Sequence, residues 1–244
     1  MKIEKYKLLI YGFVICAILS YIVYSFVLVN KSIEMFSFQS GKKVVFLHIP
    51  KCAGTSFRNT FSIDFRDHDN AFPREDEINI AIIRNPITRL QSIFSHLYMR
   101  TSKRTDKVCD LENFENLDDL ARAYYDQNHK YHKKAKMLLT WDKNKLLNKR
   151  NICDDSCCIH WSPQHLFVEG HNSKVDYLLK FENLDEDIKK LQHMNLLKSN
   201  KKSKYHKVSE KKYKNLSKLT PICYKLINEV YKDDFKLWEM SGIE

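Results

Sequence analysis

The run Lys51-Cys52-Ala53-Gly54-Thr55-Ser56 places a lysine ammonium directly before five small residues. Small residues let backbone N–H groups approach an oxyanion closely, and the lysine adds a point positive charge. A phosphate, or a group that leaves as one, suits this combination. Farther along, Arg84 and Ser92 add a guanidinium and a hydroxyl eight residues apart, and a planar fork of donors matches phosphate oxygens. Between these groups His68 stands in Asp67-His68-Asp69. Imidazole titrates near neutral pH and can accept a hydroxyl proton. The carboxylates of Asp67, Asp69 and Glu75 compete with it for that role. His48 lies inside an apolar run and reads as a core histidine, and Cys52 as a small packing residue rather than a nucleophile.

The elements that must position these groups are legible around them. Lys43–Phe57, KVVFLHIPKCAGTSF, begins with the apolar run Val44, Val45, Phe46, Leu47 and Ile49, the pattern of a strand buried on both faces. Pro50 ends the run, and a helix carrying Phe57 and Phe61 follows the small-residue turn. Strand, loop and helix together present a helix N-terminus to an anion. A second such unit, IAIIRNPITRLQSIFSHL, has a buried strand over Asn79–Arg84 and a helix opened by Pro86, with Asn85 as its N-cap. Leu90, Ile93, Phe94 and Leu97 then face the core at helical spacing. Arg84 therefore falls at a strand's carboxyl end, where open α/β sheets bind ligands. A third strand is expected over Val175–Glu182, followed by a helix with Asn183 as cap and Glu186 as its capping-box partner. Asp64–Glu77 reads as a polar connection and Asp106–Arg150 as helical. Thr220 and Pro221 open a last helix carrying Ile222, Leu226, Val230 and Tyr231.

The lysine of the loop precedes its glycine, the reverse of the GxxxxGK[ST] order. In this order the loop resembles the 5′-phosphosulfate loop of membrane-anchored, Golgi-type carbohydrate sulfotransferases, which use 3′-phosphoadenosine 5′-phosphosulfate. The strand followed by R-x-P-x-x-R-x-x-S resembles the same family's 3′-phosphate-binding segment. His160–Val168, with its Pro-Gln pair before an expected strand, Phe181-Glu182-Asn183-Leu184 and Tyr231–Phe235 resemble further blocks of it. The resemblance spans about Lys43 to Trp238. It implies an α/β, three-layer P-loop-like domain with a short parallel sheet. It also implies that Lys51 and the loop Cys52, Ala53, Gly54, Thr55 and Ser56 hold the 5′-phosphosulfate. Arg84 and Ser92 would hold the 3′-phosphate, Arg89 would be structural or auxiliary, and His68 would be the base. A glycan or glycoprotein acceptor is expected, with no nucleic-acid partner and no metal; a protein tyrosine ranks below sugar.

Leu8–Val29 is a run of 22 residues without a charge. At ~1.5 Å per residue it is long enough to span a bilayer core of about 30 Å. A cleaved signal peptide is the alternative, but the run is too long and ends in a poor cleavage site. The reading is therefore a cytosolic tail (1–7), a signal-anchor (8–29), a stem (30–42) and a lumenal domain (43–244). The flanking lysines orient it as a type II, single-pass protein. Of the +11 net charge, three lysines and one glutamate in the tail, and no charge in the anchor, leave +9 to the lumenal part. That balance suits anionic ligands such as a nucleotide or an acidic glycan. Eight basic residues in Lys130–Arg150, and eight lysines in Lys198–Lys214, read as solvated faces. In the second stretch the family folds a loop over the nucleotide, so Lys201, Lys202, Lys204 and His206 are further nucleotide contacts to consider.

Cys153, Cys157 and Cys158 with His160 lack the paired spacing of a zinc site, and in an oxidising lumen they read as a disulfide-tied loop reaching Cys109. Asn215-Leu216-Ser217 is a glycosylation sequon, and Asn30-Lys31-Ser32 is another, close to the membrane. Two rivals to a sulfotransferase remain at this point. One is a P-loop-like kinase, which would need Mg²⁺; the other is a membrane-tethered glycan binder without activity.

Overall fold

The computed structural model describes residues 17–25, 41–68, 71–101, 111–147, 158–169, 173–199 and 218–243. The chain divides into two units, Met1–Lys42 and Lys43–Glu244. In the first, residues 17–25 are helical; the remainder of the expected anchor and most of the stem lie outside the described residues. No helix among the described residues is long and apolar enough to cross a membrane. The sequons, Cys109, Cys153, Cys157 and the lysines and histidine of 201–206 also lie outside them.

The second unit is a mixed α/β domain on a small sheet. Its strands are β1 (Lys43–Leu47), β2 (Asp64–Arg66), β3 (Glu77–Ile83) and β4 (Tyr177–Lys180), in the order β2-β1-β3-β4. All three pairings are parallel. All seven residues of β3 are buried. Because successive strand side chains point to opposite faces, both faces of this central strand are covered. Its two polar residues are satisfied. Glu77 pairs with Arg66, and Asn79 exchanges hydrogen bonds with both Arg74 backbone groups at 3.1 and 2.7 Å.

Helix α1 (Gly54–Thr60) follows β1 and α2 (Pro86–Thr101) follows β3. The Asn85 side chain caps α2 by accepting from Ile87 N–H at 2.9 Å. Beyond lie α3 (Leu117–Tyr125), α4 (His132–Leu139), α5 (Lys143–Leu147), α6 (His165–Val168), α7 (Leu184–His193), α8 (Pro221–Val230) and α9 (Lys232–Met240). One core surrounds the sheet, with Phe46, Ile80, Ile82, Leu179, Phe57 and Phe167 at its centre. A second joins α2 to the later helices through Leu90, Phe94, Leu120, Leu138, Trp161 and Ile227.

Five expectations change. Part of the polar connection Asp64–Glu77 is the edge strand β2, of which Phe65 alone packs against the sheet core as an apolar side chain. The third strand is cut to Tyr177–Lys180, because Phe181–Asn183 turn into a 3₁₀ helix. Asn183 makes no side-chain cap; Asp187 instead accepts from Lys180 N–H at 2.7 Å and Ile243 N–H at 3.1 Å. Pro163-Gln164 leads into helix α6 and not a strand, since Asp234 captures the N–H groups of Gln164 and His165 at 2.8 and 2.9 Å. The last helix breaks at Tyr231, whose buried hydroxyl donates to Trp161 C=O at 2.9 Å.

Candidate functional site

The strand order places β1 and β3 side by side although the chain leaves β1 toward β2. This is the switch point of an open α/β sheet, where a crevice opens outside the strand ends. The loop after β1 and the segment after β3 meet there. Lys51 and Ala53 both sit in the left-handed region, with φ of 66° and 64°. Ala53 is the N-cap residue of α1, and a left-handed residue followed by helical ones turns successive N–H groups into a concavity suited to an anion. The first intrahelical bond runs from Phe57 N–H to Ala53 C=O at 3.0 Å. The N–H groups before it belong to a first turn that a helix cannot satisfy internally.

Arg84 is buried and binds this loop. Its Nη1 donates to Lys51 C=O at 3.4 Å, its Nε donates to Thr88 Oγ1 at 3.0 Å, and its guanidinium lies 4.5 Å from the Phe181 ring centre. Thr88, Ser92 and His96 recur every fourth residue and share one face of α2. Ser92 is half-buried on that face. Arg89 is architectural. Fully buried, it donates from Nε to Pro50 C=O at 3.0 Å and from Nη2 to His160 and Ser162 C=O at 3.2 and 3.0 Å.

Gln164 of the Pro-Gln pair and Asp234 of the Tyr231–Phe235 block, neither given an individual role by the sequence, complete the frame. Gln164 Oε1 accepts from Arg84 N–H at 2.9 Å and from the Cys52 thiol at 3.1 Å, while its Nε2 donates to Arg84 C=O at 2.8 Å. Asp234, with no exposed surface, holds Gln164 and His165 and lies 4.0 Å from Arg89. Burial pushes the Cys52 thiol up to about 11, so it stays protonated near neutral pH, as a packing residue should.

Beside the loop opens a cavity of about 280 Å³ lined by His48, Thr55, Arg58, Phe65, Asp67, His68 and His160. The β1–β2 register sets its floor. Leu47 pairs with Arg66, and His48 N–H donates to Arg66 C=O at 2.9 Å, so His48 emerges beside Asp67. His48 Nδ1 lies 3.0 Å from Asp67 Oδ1, and His68 Nδ1 lies 2.5 Å from the same oxygen. His48 is thus a cavity residue and not only a core one. Its ring covers Gly54, where an added Cβ would stand 1.9 Å from Cδ2. Burial, the largest effect, together with the His68 and Arg58 charges, lowers the His48 pKa against the pull of Asp67. Asp67 is lowered as well: burial, the largest single effect, raises it, and hydrogen bonds from His68 N–H and His48 outweigh that. The rings of His48, His68, His160 and His96 follow one another at centroid spacings of 5.3, 5.4 and 5.6 Å.

Arg84 therefore meets the Lys51–Ser56 loop directly at Lys51 C=O and, by way of Gln164, at Cys52. His68 lies in the adjoining cavity, which Thr55 and Arg58 connect to the loop helix. The arrangement offers a phosphate-type anion a backbone cradle and cations, beside imidazoles able to take a proton. Among comparisons with known proteins, the model of a family described as the sulfotransferase family matches residues 34–240. No curated protein and no solved structure gives a match.

Proposed function

The chain belongs to the sulfotransferase family, and from that premise we propose that it moves a sulfuryl group from 3′-phosphoadenosine 5′-phosphosulfate to a carbohydrate hydroxyl. The observation that carries this reading is the bond between Arg84 and Lys51 C=O. It joins the two segments expected to hold opposite ends of the nucleotide at the sheet's switch point.

In the proposed reaction the acceptor oxygen attacks sulfur, the sulfur–oxygen bond to the phosphate breaks, and the acceptor proton passes to His68. The loop N–H groups of Ala53–Ser56 and the Lys51 ammonium meet the charge growing on the departing phosphate. Arg84 and Ser92 fix the 3′-phosphate and so orient the sulfuryl group for in-line attack. Asp67 Oδ1 lies 2.5 Å from His68 Nδ1, on the side of the ring away from the Nε2 that receives the proton. The same reading makes the domain a three-layer one and places it in the Golgi lumen. The uncharged run Leu8–Val29 is then its single-pass type II anchor.

The full chain, purified in detergent, is titrated with 3′,5′-adenosine bisphosphate by calorimetry. Micromolar-range binding is expected, weakened by ~1.5–3 kcal/mol in Lys51→Ala and in Arg84→Ala, each checked for native unfolding behaviour. A folded wild type that does not bind would remove the enzyme reading and leave a tethered glycan binder in front.

A further inference from the structure

The cavity floor holds an arrangement that sulfuryl transfer does not require. A single base needs one orienting carboxylate. Here Asp67 Oδ1 faces two imidazoles, with His48 Nδ1 at 3.0 Å and His68 Nδ1 at 2.5 Å. Ligand-type atoms of the three residues all lie within 4.8 Å of one another. They do not share one flexible loop, because His48 leaves β1 while Asp67 and His68 leave β2, and the parallel pairing of those strands fixes their spacing.

We propose that His48, Asp67 and His68 form a binding site for a divalent cation of the zinc type. Two neutral imidazoles and one carboxylate, with a further position open to a cavity, are the donor set of such ions, whereas Mg²⁺ and Ca²⁺ take oxygen. A tetrahedral ion with bonds of ~2.0–2.1 Å holds its ligands about 3.3 Å apart. Asp67 Oδ1 stands 3.0 and 2.5 Å from the two imidazole Nδ1 atoms, so these ligand atoms are already gathered near that spacing. His160, whose ring centre is 5.4 Å from that of His68, borders the open position.

Binding through Nδ1 moves each imidazole proton to Nε2 or releases it. A metallated His68 then has no basic nitrogen left for an acceptor hydroxyl, so the ion switches transfer off. That consequence rests on the proposed sulfuryl transfer; the binding of the ion does not.

The test uses the full untagged chain, with ZnCl₂ by calorimetry and Co²⁺ as a visible-absorption probe. One equivalent of zinc should bind, Co²⁺ should show the intense bands of a four-coordinate ion, and Mg²⁺ should not compete. His48→Gln, Asp67→Asn and His68→Gln should each weaken zinc by at least about tenfold, since loss of even an outer partner costs that much. His129→Ala, which breaks the His129–Asp119 pair (3.3 Å) elsewhere, should leave zinc binding unchanged. Absence of binding, or binding that survives both His48→Gln and His68→Gln, overturns the site. Binding of 3′,5′-adenosine bisphosphate is measured on the same sample. Nucleotide without zinc removes the metal site alone, and zinc without nucleotide removes the transferase reading alone. Finally, zinc should suppress labelled-sulfate transfer to a glycan panel and a chelator should restore it; equal rates with and without zinc would overturn the switch.

Discussion

At the scale of single residues, Gly54 is the position with least latitude. Its φ is helical, so conformational freedom is not the reason. What matters is the His48 ring, with Cδ2, Nε2 and Cγ at 1.9, 2.4 and 2.7 Å from where a Cβ would stand. The ring cannot swing aside freely, because Asp67 holds Nδ1 at 3.0 Å and the residue is mostly buried. Gly54→Ala should therefore destabilise by about 1–3 kcal/mol, the usual range for overpacking. It should also disturb the loop that precedes α1. The clash belongs to a pair, so Gly54→Ala placed in a His48→Ala background should cost much less. Urea midpoints for the four proteins of this cycle give the coupling. Additive losses would mean that the ring is not what excludes the methyl group.

At the scale of elements, the β3–α2 unit is held to the rest of the site by Arg89. Its guanidinium binds the carbonyls of Pro50, His160 and Ser162 and faces Asp234, all out of water. Arg89→Met keeps much of the volume but strands those carbonyls and leaves Asp234 buried without its permanently charged neighbour at 4.0 Å. A loss of about 3–5 kcal/mol is expected, as when a buried pair is broken from one side. Denaturant unfolding followed by tryptophan fluorescence measures it, and a loss below about 1 kcal/mol would show that these contacts carry little.

The two strand–helix units were legible in the sequence because everything that defines them is local. Apolar runs mark β1 and β3, Pro50 and Pro86 punctuate them, and Asn85 caps α2. For the same reason Lys51 and Arg84 were expected just beyond strand ends, and they follow β1 and β3. The contacts of Gln164 and Asp234 were not legible, although both lie in segments that resemble the family. Gln164 meets Arg84 across 80 positions and Asp234 meets Gln164 across 70, and no local pattern encodes such a meeting. β2 escaped notice because an edge strand of Asp64-Phe65-Arg66 carries too little apolar alternation. His48 read as core from its apolar neighbours, but it ends the strand and its partner Asp67 arrives through β-pairing.

At the scale of the whole molecule, His165 and Asp234 link the closing helix to the site and make that link sensitive to pH. His165 Nδ1 lies 2.8 Å from Asp234 Oδ1. Burial is the largest single effect on this imidazole and lowers its pKa. The Asp234 hydrogen bond and charge, with Glu169 and Asp233 adding to them, outweigh burial and leave it raised. Arg89 from α2 also faces Asp234, at 4.0 Å. A group with a raised folded-state pKa contributes its stability fully below the unfolded value, about 6.5 for histidine. It loses that contribution as pH rises through the folded value. Stability should therefore fall as pH climbs from about 6.5 through the raised His165 value. His165→Gln, which keeps the backbone N–H bonds to Asp234 but cannot titrate, should flatten that decline while leaving the acid limb in place. Urea midpoints taken across this range for both proteins decide the matter. If the decline persists in His165→Gln, its source is another group, and the α6–α9 junction is not what couples the closing helix to protonation.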